Sequence, residues 1–220
     1  MFCGICDSDL RALARAGRLV RAGAGEALWP ASRRGTGLIA LLDGWAKLQA
    51  TAPCGEGALL RILRRGDLAG PPLTDAEGDP SLSLLALEPC EAVTWNREAW
   101  ARAQRGCPQV AWNLIEAQTE YIRELQRRCV ELAAVRVEAR LARVVLRLAR
   151  EAGRRTARGI EIRMPLSRED LAGLVGATIH TISRTLGEWE RAGWVVAGWK
   201  RIVVVDAASL RGIVEAIETE

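Results

Sequence analysis

The chain has 220 residues, 49% of them hydrophobic, and its 31 basic and 27 acidic residues give a net charge of +4 at pH 7. This composition excludes a disordered chain, and the length suits one large or two small domains. No stretch has the roughly 18 uncharged apolar residues of a membrane span, and the first residues lack a secretory-signal pattern. We therefore expect a cytoplasmic protein with no membrane partner.

The first half of the chain predicts one helix followed by short strands. Residues 7–20, DSDLRALARAGRLV, have the apolar spacing of an amphipathic helix with Asp7 as its N-cap. Between Glu26 and Thr94, turn residues separate six apolar runs: EALWP, TGLIALLDG, WAKLQAT, ALLRILRRGD, SLSLLALEP and CEAVTW. Strands at this spacing predict an antiparallel β-sandwich or roll.

A long helix is predicted after Pro108, because neither Gly nor Pro follows until Gly153. Within it, residues at the a and d positions of about three heptads form a seam that is apolar except for one Gln. The seam consists of Ile115, Gln118, Ile122, Leu125, Cys129 and Leu132. We expect this seam to pair with a second copy in a homodimer. Packing against the chain's own β domain is the alternative.

A second helix is expected from about Val135 to Ala152, with its apolar residues buried. Its other sides contribute to a strongly basic stretch, since nine Arg and only three Glu lie between Arg136 and Arg163. Such an excess suits a phosphate backbone, and a solvated helix face is the alternative.

The C-terminal segment predicts a helix, a tight turn, a helix and a β-hairpin. Ser167 caps the first helix and Asp170 nearly completes a capping box, while Gly176 supplies the turn. Thr178 caps the second helix, which is expected to end at Gly193. WVVAGWKRIVVVD then predicts two strands around a turn at its fourth and fifth residues, Ala and Gly. This order of elements is typical of a winged helix-turn-helix.

The segment PLSREDLAGLVGATIHTISRTLGEWERAGWV resembles the DNA-binding signature of the CRP/FNR superfamily of bacterial transcription regulators. DGWAKLQAT and RRGDLAG are similar to turns of the superfamily's β-roll, and HTISRTLGEWERAG is similar to its nitric-oxide and denitrification regulators. The resemblance implies an α+β fold in three parts. These are an N-terminal antiparallel β-roll sensor, like cyclic-nucleotide-binding domains, in residues 1–107, a dimerisation helix in 108–134 and a winged helix-turn-helix in 135–220.

The resemblance also implies DNA contacts near the N-terminus of the second helix of the helix-turn-helix. The candidates are Thr178, Ile179, His180, Ser183 and Arg184. Arg184 suits a bidentate contact to guanine, with a phosphate contact as the alternative. His180 stands where many members of the superfamily have Glu, so their half-site sequence is not carried over. The expected partners are a palindromic site in double-stranded DNA and RNA polymerase.

Cyclic nucleotide binding is disfavoured by the same comparison. The cyclic-AMP branch holds the phosphate with a Glu and with an Arg beside a small hydroxyl residue. Here Asp67 stands in the turn, Pro80-Ser81 replaces the expected Arg-containing pair, and no Arg lies between Arg65 and Arg97. A buried phosphate without a cation would be an unpaired charge.

Six cysteines are the remaining candidates for a sensor. Cys3 and Cys6 form a C-x-x-C pair before the first helix, and resemblance to the FNR branch implies a 4Fe-4S cluster in which Cys90 is the distant ligand. The chain has two N-terminal cysteines where that branch has three, so Cys107 is the predicted fourth ligand, because it can lie at the same end of the roll as Cys90. Cys54, in a hairpin turn, and Cys129, in the seam, are less suitable. The implied signal is oxygen, nitric oxide or redox state.

Alternatives for the cysteines are a thiol–disulfide switch, a zinc or haem site, and simple burial beside a metal-free small-molecule sensor. A different class, a thiol oxidoreductase using Cys3 and Cys6, would need the pair at a helix start beside a βαβ unit. The β-roll pattern and the DNA-binding half argue against that class. We therefore expect a regulator and not an enzyme.

Overall fold

The computed structural model describes residues 2, 4–29, 37–51, 57–70 and 82–218. The chain forms two compact units, residues 1–124 and 125–220. The division falls inside the long helix, whereas the sequence assigned residues 108–134 to a part of their own, and that three-part division remains a prediction. In the described ranges, no helix combines the length and apolarity needed to cross a membrane.

The N-terminal unit contains two antiparallel sheets with helices at both ends of its sequence. In chain order the elements are α1 (Asp7–Ala16), β1 (Arg18–Ala22), β2 (Ala27–Trp29), β3 (Leu38–Asp43), β4 (Ala46–Thr51), β5 (Gly57–Leu63), β6 (Leu68–Ala69), β7 (Leu82–Ala86), β8 (Cys90–Trp95), α2 (Arg97–Gly106) and the first part of α3 (Pro108–Ala134). The first sheet has the order β1-β8-β3-β6 and the second the order β2-β7-β4-β5. The predicted antiparallel roll is confirmed.

The first sheet has apolar cores on both of its faces. One core lies between the sheets and includes Leu41 and Ala92 with residues of the second sheet, such as Leu84. The other lies against the helices and includes Leu38 and Trp95. Because both faces are covered, β3 is a nearly continuous apolar run and does not alternate with polar residues.

The secondary structure differs from the prediction at both ends of the roll. The first helix ends at Ala16, and residues 18–22 pair with β8 as a strand, although a helix was predicted to about Val20. The N-cap of α1 is Cys6 and not Asp7. The helix α2 was not predicted. Its N-cap Asn96 accepts a hydrogen bond from Ala99 N at 2.8 Å.

The C-terminal unit contains the predicted winged helix-turn-helix with three further elements. Its elements are the end of α3, α4 (Val137–Ala152), β9 (Gly153–Thr156), β10 (Gly159–Ile162), α5 (Arg168–Val175), α6 (Ile179–Arg191), β11 (Val195–Gly198), β12 (Arg201–Val204) and α7 (Ala207–Glu218). The strands form one antiparallel sheet of order β11-β12-β10-β9. The β9–β10 hairpin and α7 were not predicted, and α4 begins two residues later than expected.

Candidate nucleic-acid interface and sensor cysteines

The predicted caps determine where α6 begins. Ser167 Oγ accepts from Asp170 N at 3.0 Å and Asp170 Oδ2 accepts from Ser167 N at 2.9 Å, which is the reciprocal pattern of a capping box. Gly176 has a φ of 68°, in the left-handed region that favours glycine at a helix C-terminus. Thr178 Oγ1 then accepts from Thr181 N at 3.1 Å and caps α6. All three predictions about these residues are confirmed.

The helix α6 has one buried and one exposed face. Ile182, Leu186 and Trp189 are buried, and Trp189 Nε1 donates to Glu138 Oε1 on α4 at 3.2 Å. The five residues predicted to contact DNA are all exposed: Thr178, Ile179, His180, Ser183 and Arg184. A capped N-terminus with an exposed Arg and small polar side chains is the arrangement by which a recognition helix reaches base edges in the major groove.

A second exposed group lies at the turn between β11 and β12, which sequence reasoning did not assign to the site. The turn is formed by Trp199 and Lys200, and not by Ala197 and Gly198 as predicted. Trp199 is 87% exposed, and Lys200 Nζ lies 4.9 Å from the centre of its ring. Glu190 on α6 accepts from Ala197 N at 3.0 Å, so this hairpin is tied to α6. The sequence signal for this group was the run of Trp199, Lys200 and Arg201, an aromatic residue beside two cations.

Glu161 on β10 connects three strands of the C-terminal sheet. Its carboxylate accepts from Arg154 on β9 at 2.9 Å and from Arg201 on β12 at 2.6 Å. The hydrogen bond from Arg154, followed by that from Arg201, holds the pKa of Glu161 below its ordinary value. The ionised carboxylate therefore holds the start of β12, next to the turn of the β11–β12 hairpin.

The predicted dimer seam on α3 is only partly exposed. Ile115 and Ile122 are 54% and 53% exposed, and Gln118 and Cys129 are also exposed, whereas Leu125 is half-buried. Leu132 is 44% exposed but lies beside Gly176, where an added Cβ would meet Leu132 Cδ2 at 2.3 Å. Sequence reasoning missed two exposed apolar residues of the same helix, Trp112 and Val130. The seam itself remains a prediction.

The described cysteines lie in different surroundings. Cys90 is in the core between the two sheets, and its thiol donates to Trp45 O at 3.1 Å. Burial is the main reason that the pKa of this thiol is raised, which favours its protonated form. Cys107 is in the core on the other face of the first sheet, and Cys6 is exposed with Sγ 2.9 Å from Ser8 Oγ. Cys3 and Cys54 lie outside the described residues.

The described cysteines do not by themselves form a four-thiolate site. The first sheet separates the core of Cys90 from that of Cys107, so these two thiols lie on opposite faces of that sheet. Among the residues that the structure describes, no three His, Cys, Asp or Glu side chains are grouped to hold a metal ion. Because Cys3 is not described, the set of Cys3, Cys6, Cys90 and Cys107 remains a prediction.

The chain combines an antiparallel β-roll with a winged helix-turn-helix. Residues 139–213 match the family described as the Crp-like helix-turn-helix domain. A CRP-like cAMP-activated global transcriptional regulator of Mycobacterium tuberculosis is 24% identical over 96% of this chain and 94% of its own. The fumarate and nitrate reduction regulatory protein of Salmonella typhimurium is 24% identical over 86% and 75%.

The fold is shared with solved structures. A transcriptional regulator of the CRP/FNR family from Thermus thermophilus superposes with a TM-score of 0.73 at 21% identity, covering 90% of this chain and 98% of that one. Residues 139–213 thus match a Crp-like helix-turn-helix domain, and nearly the whole chain is similar to transcription regulators of the CRP/FNR family. The names of the two relatives differ in what they refer to, so the similarity does not determine what this chain senses.

The environment of Glu161 predicts a pH-dependent stability. A lowered pKa in the folded state means that Glu161 stabilises the fold at neutral pH and that this contribution is lost as the pH falls through the lowered pKa. Glu161→Gln should therefore lower the melting temperature at pH 7, and the difference from the wild type should shrink in acid. The exposed Glu188→Gln serves as the matched control. Equal melting of Glu161→Gln and the wild type at pH 7 would contradict this account.

Proposed function

We propose that this chain is a homodimeric, sequence-specific DNA-binding transcription regulator in which α6 reads the major groove. The observation that carries the proposal is the exposed face of α6, where Ile179, His180, Ser183 and Arg184 surround a capped N-terminus. The opposite face of the helix is buried against its own unit, so this face is available for DNA. DNA binding and RNA polymerase contact belong to the proposal, as does a cytoplasmic site of action.

Exposed basic side chains of the same unit support the proposal. Arg154, Arg155 and Arg158 are exposed on the β9–β10 hairpin. At the tip of the β11–β12 hairpin, Trp199 and Lys200 offer an aromatic ring beside a cation, which suits contact with sugar and phosphate. Such contacts orient a protein on DNA, while base contacts from α6 provide the sequence preference.

The exposed apolar residues of α3 support the proposed dimer. A helix with Ile115 and Ile122 exposed to water gains free energy by covering them, and a second copy offers a self-complementary surface. Two copies related by a twofold axis would present two α6 helices to a palindromic site, with half-sites about one helical turn apart.

The signal is the second part of the proposal. The first candidate is an oxygen, nitric-oxide or redox signal received by a 4Fe-4S cluster, which Cys3, Cys6, Cys90 and Cys107 would hold. A metal-free small-molecule or thiol sensor is the second candidate. It is favoured by the separation of Cys90 and Cys107 into two cores. In either case a change in the β-roll would bias an equilibrium between two states of the dimer.

Arg184→Ala should reduce the preference for the target site over random DNA by about 1 to 3 kcal/mol, because a bidentate guanine contact is lost. Arg184 is exposed, so the dimer should remain folded. Fluorescence anisotropy with a duplex selected from a random pool measures both affinities. Arg211→Ala, which removes the same charge from α7, should retain the preference. Unchanged preference in Arg184→Ala would refute its role as a base-reading residue.

Ile122→Glu should convert the dimer to a monomer, since two carboxylates would face each other at an a position of the apolar seam. Ile122 is 53% exposed in the single chain, so the fold should survive the substitution. Sedimentation velocity gives the oligomeric state. Arg123→Glu, which also adds a carboxylate to α3 but lies outside the seam, should leave the dimer intact. A dimeric Ile122→Glu protein would move the interface elsewhere.

Iron analysis separates the two candidate sensors. If Cys3, Cys6, Cys90 and Cys107 bind a 4Fe-4S cluster, protein prepared anaerobically with iron and sulfide should contain about four iron per chain. Each Cys→Ser substitution at these positions should lose most of that iron, while Cys54→Ser and Cys129→Ser should retain it. Colourless, iron-free wild-type protein would contradict the four-cysteine prediction and favour the metal-free sensor.

A further inference from the structure

Arg140 on α4 is a buried cation whose hydrogen bonds all reach backbone carbonyls. Arg140 is only 8% exposed. Within the described ranges, its hydrogen-bond partners include no acidic side chain. Nε donates to Val175 O at 2.9 Å and Nη2 to Gly176 O at 3.1 Å, while Nη1 donates to Val135 O at 2.8 Å and, at 3.4 Å, to Glu131 O and Leu132 O. A single guanidinium thus donates hydrogen bonds to carbonyls of two separate segments.

These carbonyls lie at the C-terminal ends of two helices. Glu131 and Leu132 belong to the last turn of α3 and Val135 follows it, whereas Val175 ends α5 and Gly176 is its left-handed cap. The last carbonyls of a helix have no partner within the helix and carry its partial negative charge. The planar guanidinium has five N–H donors, so it can donate hydrogen bonds to both helix ends at once. The partial negative charge of these ends stabilises the buried positive charge.

Two further contacts join the same pieces of the C-terminal unit. Arg128 on α3 donates to Gly173 O on α5. The side chain of Leu132 occupies the space beside Gly176, where an added Cβ would come within 2.3 Å of Leu132 Cδ2. The end of α3 is therefore attached to α5 and to the turn that precedes α6, and Arg140 is the group that connects the two helix ends.

We propose that Arg140 is a positioning residue for DNA binding, which fixes the helix-turn-helix against the end of α3 and so determines the distance between the two α6 helices of the dimer. This inference rests on the proposed function, because it assumes a dimer formed through α3 that binds two half-sites. Arg140 is buried and does not touch DNA. Its effect should therefore fall on the spacing between half-sites and not on the recognition of one half-site.

The test uses the full-length chain and the palindromic duplex that the wild type selects from a random pool. Affinities are measured for this duplex, for duplexes whose half-sites are one base pair closer or farther apart, and for a single half-site. The wild type should prefer the selected spacing on the order of tenfold, since half-site separation mirrors the geometry of the dimer. Arg140→Gln should reduce this preference to within about twofold and leave half-site affinity within about twofold of the wild type.

Arg140→Lys and Arg150→Gln complete the series. The lysine variant keeps the charge but lacks the planar fork, so its spacing preference should fall between those of the wild type and Arg140→Gln. Arg150→Gln removes an exposed charge from the same helix and should keep the wild-type preference. Measurements are made well below each variant's melting temperature, because lost hydrogen bonds also lower stability.

The outcomes separate this inference from the proposed function. Wild-type protein that selects no duplex refutes the proposed function and the inference together. Wild-type protein that selects a palindrome, with Arg140→Gln and Arg140→Lys less stable but equally selective for spacing, overturns the inference alone. Failure of both variants to fold would also overturn it, because Arg140 would then be a structural residue.

Discussion

Helix ends leave carbonyl groups without partners, and in the C-terminal unit this constraint determines how the helix-turn-helix is held. The carbonyls at the ends of α3 and α5 meet around the guanidinium of Arg140, which is 8% exposed. Gly176 continues the chain in a left-handed conformation, and Thr178 begins α6 with a cap. The orientation of the exposed face of α6 thus depends in part on Arg140 and Gly176, which are not among the predicted DNA contacts.

The β-roll obeys a different constraint, which is that its first sheet is covered on both faces. One face packs against the second sheet and the other against α1 and α2, so residues of neighbouring segments enter separate cores. This separation places Cys90 and Cys107 in different cores. The thiol of Cys90 lies in an apolar core and donates to Trp45 O.

Strong local signals in the sequence predicted their elements well. Some signals depend directly on the backbone conformation, and these predicted their elements correctly. They are the capping pattern of Ser167 and Asp170, the helix-ending Gly176, and the run without Gly or Pro after Pro108. The resemblance to the CRP/FNR superfamily predicted which residues near the N-terminus of α6 face outward, and these residues are exposed. The elements missed lack such signals. The segment GRRTARGIEI has few apolar residues and is typical of a polar loop, although residues 153–162 pair as β9 and β10.

The role of Arg140 could not be predicted either, since its partners are backbone carbonyls that lie 5 to 9 residues before it and 35 to 36 residues after it in the chain.

The central claim is that α6 of each subunit reads guanine in the major groove of a palindromic site. Methylation interference on the selected duplex tests it most directly, because methylation of guanine N7 blocks the major-groove acceptor that an arginine would use. The account predicts interference at two guanines related by the twofold axis and about one helical turn apart. Full binding to duplexes methylated at every guanine N7, or interference confined to the minor groove, would contradict it.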